Sequence, residues 1–136
     1  LAYEFVEHTA DIALRARGAS ERELFIELAR GMSEYLFGGE TEAGSSSFIT
    51  EETVELHATD GVGLIVDWLS HILLLTSIHH GRVVVREITH ISCTAVYAKL
   101  AVVQGEQLED IKAVTYHGLK VVHTPDGVEA CVTFDI

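Results

Sequence analysis

From residue 82 to residue 136, apolar side chains recur at almost every second position. Period two is the signature of strands with one buried face, and it dictates a sheet-rich fold for this half of the chain. Residues 82–91 and 93–103 each alternate. Gly105 and the acidic residues 106–110 then form a connection. A strand over 111–117 follows, Gly118 is placed to kink it, and 119–123 continues it. Thr124-Pro125-Asp126-Gly127 is a turn, because Pro presets φ and Gly supplies the left-handed position. Residues 128–136 return as its hairpin partner.

The first half mixes periods. Tyr3, Phe5 and Glu7 share one side of a short alternating run. Ile12, Leu14 and Ala16 share a face of a second, with Ala13, Arg15 and Arg17 opposite. The polar stretch His8-Thr9-Ala10-Asp11 breaks the two runs as a turn or bulge. After Gly18-Ala19, Ser20-Glu21-Arg22-Glu23 has capping-box form. Leu24, Phe25, Leu28, Met32, Tyr35 and Leu36 then follow at helical spacing, so a first helix runs to about Phe37 and stops at Gly38-Gly39. Residues 40–47 are rich in Gly, Ser, Thr and Glu and read as a loop. A half-buried strand over 53–59 directs Val54, Leu56 and Ala58 inward. Asp60 caps a second helix that starts near Val62 or Gly63, buries Ile65, Trp68, Leu69, Ile72 and Leu73, and ends around His79-His80-Gly81. Two helices cannot cover both faces of so many strands. The expectation is an α+β, two-layer single domain over residues 1–136, with a six- to seven-stranded, mostly antiparallel sheet. The helices would lie on one side of it, or the sheet would fold over itself.

Composition narrows the function. Apolar residues make up 48%, enough for a core. The formal charge is −12 with only 9 Lys plus Arg, which argues against gripping nucleic acid by its phosphates, since each such contact needs a cation. It suits a protein that meets a basic partner or binds a cation. Apolar runs fall short of the ~20 residues of a membrane span, and the N-terminus lacks the form of an export signal. The expected location is cytoplasmic. Cys93 and Cys131 stand apart, outside any CxxC spacing, in strand-like runs; they are expected as reduced core residues, and a structural zinc site is not.

Three polar stretches lie in strand context. Asp11 either caps local backbone N–H groups or serves as a carboxylate ligand held on a rigid sheet. Lys112, in 111–118, is either an edge-strand charge or a functional cation. Asp135 stands beside the α-carboxylate of Ile136, and carboxylates so close repel one another unless a cation joins them. With Asp11 added, the donors would be hard oxygens, which suit Ca²⁺, Mg²⁺ or Mn²⁺. Asp67 and His71, four apart on the second helix, can pair with each other or hold a metal.

His8-Thr9-Ala10-Asp11 after a strand, the helix around Asp67-Trp68-Leu69, the strand Ile111-Lys112-Ala113-Val114-Thr115-Tyr116-His117 and the terminal Phe134-Asp135-Ile136 occur together and in order. In this the chain resembles the archease family over essentially its whole length. Archeases are activators of the GTP-dependent tRNA-splicing RNA ligase. The resemblance implies an α+β domain with two helices and a divalent metal site, calcium being the usual assignment, held by Asp11, Asp135 and the carboxylate of Ile136. Lys112 matches a further position needed for activity, and His8 and His117 match motif positions beside the ligands. The implied role is that of an accessory protein without turnover of its own, which promotes guanylylation and multiple turnover of the ligase. Two other readings stand beside it: a metal-dependent phosphoester hydrolase using Asp11, Asp135 and His117 or His8, and a chaperone-like modulator of a tRNA methyltransferase.

Overall fold

The computed structural model describes residues 2–7, 11–39 and 47–136. Among them run β1 (Tyr3–Glu7), β2 (Asp11–Gly18), α1 (Glu21–Phe37), β3 (Phe48–His57), α2 (Gly61–His79), β4 (Gly81–Ile91), β5 (Ala95–Gln104), β6 (Ala113–Thr124) and β7 (Gly127–Asp135). The α+β class, the two helices and the antiparallel pairing are as the sequence predicts. The single sheet is not. The strands form a four-stranded sheet in the order β1-β2-β7-β6 and a three-stranded sheet in the order β3-β5-β4. Each helix packs against both: α1 on β2 and β4, α2 on β6 and on β3, β4 and β5. The reason is in the helices. Leu64, Ile65 and Val66 are consecutive and all buried. Three successive helical positions point about 100° apart, so α2 must be covered on more than one side.

Local chemistry sets the helix ends. Ser20 Oγ accepts from the Glu23 N–H at 3.2 Å, while the Glu23 carboxylate reaches back to the Ala19 N–H at 3.1 Å, one residue beyond the usual capping-box partner. Asp60 Oδ1 accepts from the Gly63 N–H at 2.7 Å. The last turn of α1 carries no basic residue. Its cation comes from the start of β4, where buried Arg82 donates to the carbonyls of Gly38 (3.3 Å) and Gly39 (2.8 Å). Burial pulls this guanidinium below its ordinary range, opposed by Glu34 and Tyr3. Between the helices, Trp68 Nε1 donates to the Phe25 carbonyl at 3.0 Å, and the two rings pack tilted at 44° with centroids 5.7 Å apart.

The predicted β6–β7 hairpin forms around Pro125 and Asp126. Gly127 has φ 149°, and a Cβ there would sit 2.2 Å from the Gly18 carbonyl oxygen. Gly118, at φ 64°, lies in a register shift between Thr115 and Lys120, so the predicted kink is a β-bulge within one strand. β3 begins at Phe48, not Thr53; residues 50–53 are all polar, so no apolar alternation marks this part of the strand. Cys93 is not a core strand residue: it is exposed in the turn between β4 and β5, where Ser92 Oγ accepts from the N–H groups of Thr94 and Ala95. Cys131 is half-buried on β7, and both thiols are free. At 19 residues and mean hydropathy 1.7, α2 has the length and apolarity to cross a membrane; here Leu64, Ile65, Trp68, Leu69 and Ile72 are spent on the core. The sequence-predicted loop over 40–47 lies, except for Ser47, outside the described residues.

β1 is tied to α1 by the buried phenol of Tyr3, which donates to the Glu34 carboxylate. Burial first, and then that carboxylate, pushes the phenol from 10.0 to about 12. The folded state therefore holds this proton more tightly than the unfolded chain does. The associated stability is complete below pH 10 and is lost as pH rises towards 12, a change of about 2–3 kcal/mol. Denaturant unfolding across this window should show that slope in the wild type, and Tyr3→Phe should flatten it while lowering stability at neutral pH.

Candidate functional site

β2 lies between β1 and β7, and its pairing with β7 sets Asp11 directly opposite Asp135. Opposed residues of an antiparallel pair project to one face with Cβ atoms about 4.5–5.5 Å apart. The next pair, Ile12 and Phe134, is 4% and 0% exposed and points into the core. Alternation therefore turns the two carboxylates outward. Ala113, the first residue of β6, is opposite Asp135 on its other side, so a row Asp11–Asp135–Ala113 crosses three strands. The N–H of Lys112 donates to the Asp135 carbonyl at 2.7 Å and anchors the end of β7. The following row, Ala13–Thr133–Thr115, carries only small side chains, with Thr115 Oγ1 donating to the Thr133 carbonyl at 3.1 Å.

One atom in this row stands out. Asp11 Oδ1 is buried and, among the described residues, accepts no hydrogen bond. A buried carboxylate oxygen without a donor carries an uncompensated desolvation cost. A cation would remove it, and the neighbouring donor, Asp135, is also a hard oxygen. This donor set fits a calcium- or magnesium-type ion better than zinc or copper. The row is nevertheless incomplete on side chains alone. Among the described residues no group of three His, Cys, Asp or Glu side chains is placed to hold a metal. Ile136, half-buried, follows Asp135 directly; backbone carbonyls, water or a partner would complete the six to eight oxygens calcium takes.

The other predicted residues fall at different distances from this row. Lys112 is exposed, immediately before β6, and by alternation its side chain leaves on the α2 side of the sheet rather than with the carboxylates. His117 is exposed in the bulge, four residues past Ala113, about 13 Å along the strand; its N–H donates to Thr115 Oγ1. The structure does not bring it to the row. His8 lies outside the described residues. Asp67 and His71 are half-buried on α2, remote in sequence from the row. Thr133 and Thr115 escaped the sequence reading because their only signal, strand register between distant segments, exists only after folding.

Residues 3–136 match the Archease protein family (MTH1598/TM1083). A protein archease of Methanosarcina acetivorans is 35% identical, spanning 98% of this chain and 95% of its own length. One from Thermococcus kodakarensis is 29% identical, spanning 92% and 91%. The solution structure of protein 1598 of Methanobacterium thermoautotrophicum shares the fold with a TM-score of 0.78 at 23% identity, covering 99% of each chain. A crystal structure from Thermotoga maritima, described as an archease and possible chaperone, gives 0.66 at 26% identity, covering 96% and 94%.

Like charges directly opposite across a strand pair oppose folding. In chelator, Asp135→Asn should therefore raise the thermal midpoint of the protein, by a stability gain of about 0.2–1 kcal/mol. A destabilised variant in that melt would show that the two side chains do not repel.

Proposed function

The chain belongs to the archease family, and we propose that it is a metal-binding accessory protein that activates the GTP-dependent tRNA-splicing RNA ligase, promoting ligase guanylylation and multiple turnover. The observation that carries this reading is the outward-facing pair of Asp11 and Asp135 with the orphaned Asp11 oxygen. Family membership supports it. So does the net charge of −12, which favours approach to a basic catalytic cleft. The description of the Thermotoga maritima archease as a possible chaperone accords with action on a protein partner.

In this reading Asp11, Asp135 and the α-carboxylate of Ile136 hold a divalent ion, calcium first, with magnesium or manganese as alternatives. When bound, the ion would supply positive charge against the triphosphate during nucleotidyl transfer. The protein's own part is positional. β2 and β6 clamp β7 on both sides, so Asp135 is presented from a rigid three-strand row. The Lys112 N–H fixes the end of β7, and its side chain, on the α2 side of the sheet, is placed to orient a phosphate or meet a partner carboxylate. His8 remains a candidate supporting residue beside the ligands by its motif position, and His117, about 13 Å along the strand, is not a ligand. The protein performs no turnover of its own and works in the cytoplasm.

A ligation time course with RNA in excess over the ligase tests this. The ligase should pass beyond its first turnover only with this protein present. Asp11→Ala and Asp135→Ala, folded by circular dichroism, should cut the stimulation by at least about tenfold. Undiminished stimulation by Asp11→Ala would contradict the role, as would phosphoester turnover by the protein alone. Co-purification with a tRNA methyltransferase instead of the ligase would redirect it.

A further inference from the structure

We propose that the groove between the C-terminal half of α2 and residues 107–114 is the surface on which the ligase docks, and that its occupant is a ligase segment presenting an apolar side chain next to an arginine or lysine. This rests on the accessory role proposed above. The groove has a volume of about 490 Å³; Leu74, Ser77 and His80 line it from the helix, and Asp110, Ile111 and Lys112 from the opposite wall. Exposed apolar side chains lie in or near it. Leu74 and Ile78, one turn apart on α2, are 52% and 58% exposed. Tyr116, 60% exposed, follows Lys112 and Val114 at the same strand spacing on β6. Single exposed apolar residues are ordinary, but here Leu74 lines the groove, Ile78 lies one turn on along the same helix, and Tyr116 two residues past the lining Val114.

Charge specifies the rest of the occupant. Glu106, Glu109 and Asp110 are all exposed, and among the described residues none is in an ion pair. α2 ends at the groove with His80 in the left-handed conformation, and the basic residue of its last turn is His79 rather than Lys or Arg. Glu106, Glu109 and Asp110 outnumber Lys112 on this surface, so it calls for a cation from the partner. The groove adjoins the β6 end of the carboxylate row through the backbone: Lys112 and Ala113 line the groove, while the Lys112 N–H holds the Asp135 carbonyl and Ala113 pairs with Asp135, although the Lys112 side chain and the carboxylates leave on opposite faces of the sheet. β6 is a sheet edge, but its bulge between Thr115 and Lys120 interrupts the ladder, so the contact is made by side chains and not by strand addition.

The test uses the full chain and the intact ligase. Binding affinity and concentration-dependent stimulation are measured for wild type, for Leu74→Glu with Ile78→Glu, and for Asp110→Lys. All three positions are exposed, and Asp110 lies outside any helix or strand, so its variant remains informative should the helix variant fail to fold. Each variant should bind about tenfold or more weakly, with stimulation recovered at saturating concentration. Variants that bind within about twofold of a stimulating wild type place the docking surface elsewhere and leave the accessory role standing. A wild type that neither binds nor stimulates overturns both.

Discussion

The antiparallel seam between β2 and β7 joins the two ends of the sequence, and the candidate site exists only because of it. Closing so long a loop costs entropy that grows only slowly with length. The seam recovers it through buried pairs: Ile12 with Phe134, Leu14 with Val132, Ala16 with Ala130. Full burial of a large apolar side chain contributes about 1.5–3 kcal/mol. The same pairs fix the register. A slip of one residue would turn Asp11 and Asp135 towards α1 and expose the apolar set, an exchange no solvent-facing gain could offset. The core thus holds the carboxylates outward and opposed.

That arrangement is locally unfavourable. Two like charges face each other, and one carboxylate oxygen is buried without a donor. The rest of the molecule tolerates it because its own interactions agree with one another: capped helix starts, the Trp68 bond between helices, and Arg82 placed against the carbonyl end of α1. A local conflict inside an otherwise consistent fold is where function is expected.

Much of this was legible in the sequence. Ser20 and Asp60 announced the helix starts, Gly118 the bulge and Pro125-Asp126-Gly127 the hairpin, because each acts through neighbours a few residues away. The division into two sheets was not legible: alternation gives the face of a strand, not its partner. Nor was the placement of Cys93, whose flanks alternate on both sides of a turn made by Ser92. At the site, the residue types pointed to oxygen-ligand chemistry, and family resemblance linked Asp11 to Asp135; only the register places them opposite each other. His117 shows the reverse: the Lys112 N–H and Ala113 meet Asp135, while four further residues of strand place His117 about 13 Å from the row.

The claim that these opposed carboxylates form a cation site is tested most directly by calorimetric titration of the metal-free protein with calcium. The account predicts one ion per chain, with affinity lowered at least about tenfold in both Asp11→Asn and Asp135→Asn. Equal affinity in wild type and both variants, or no binding by the wild type, would contradict it.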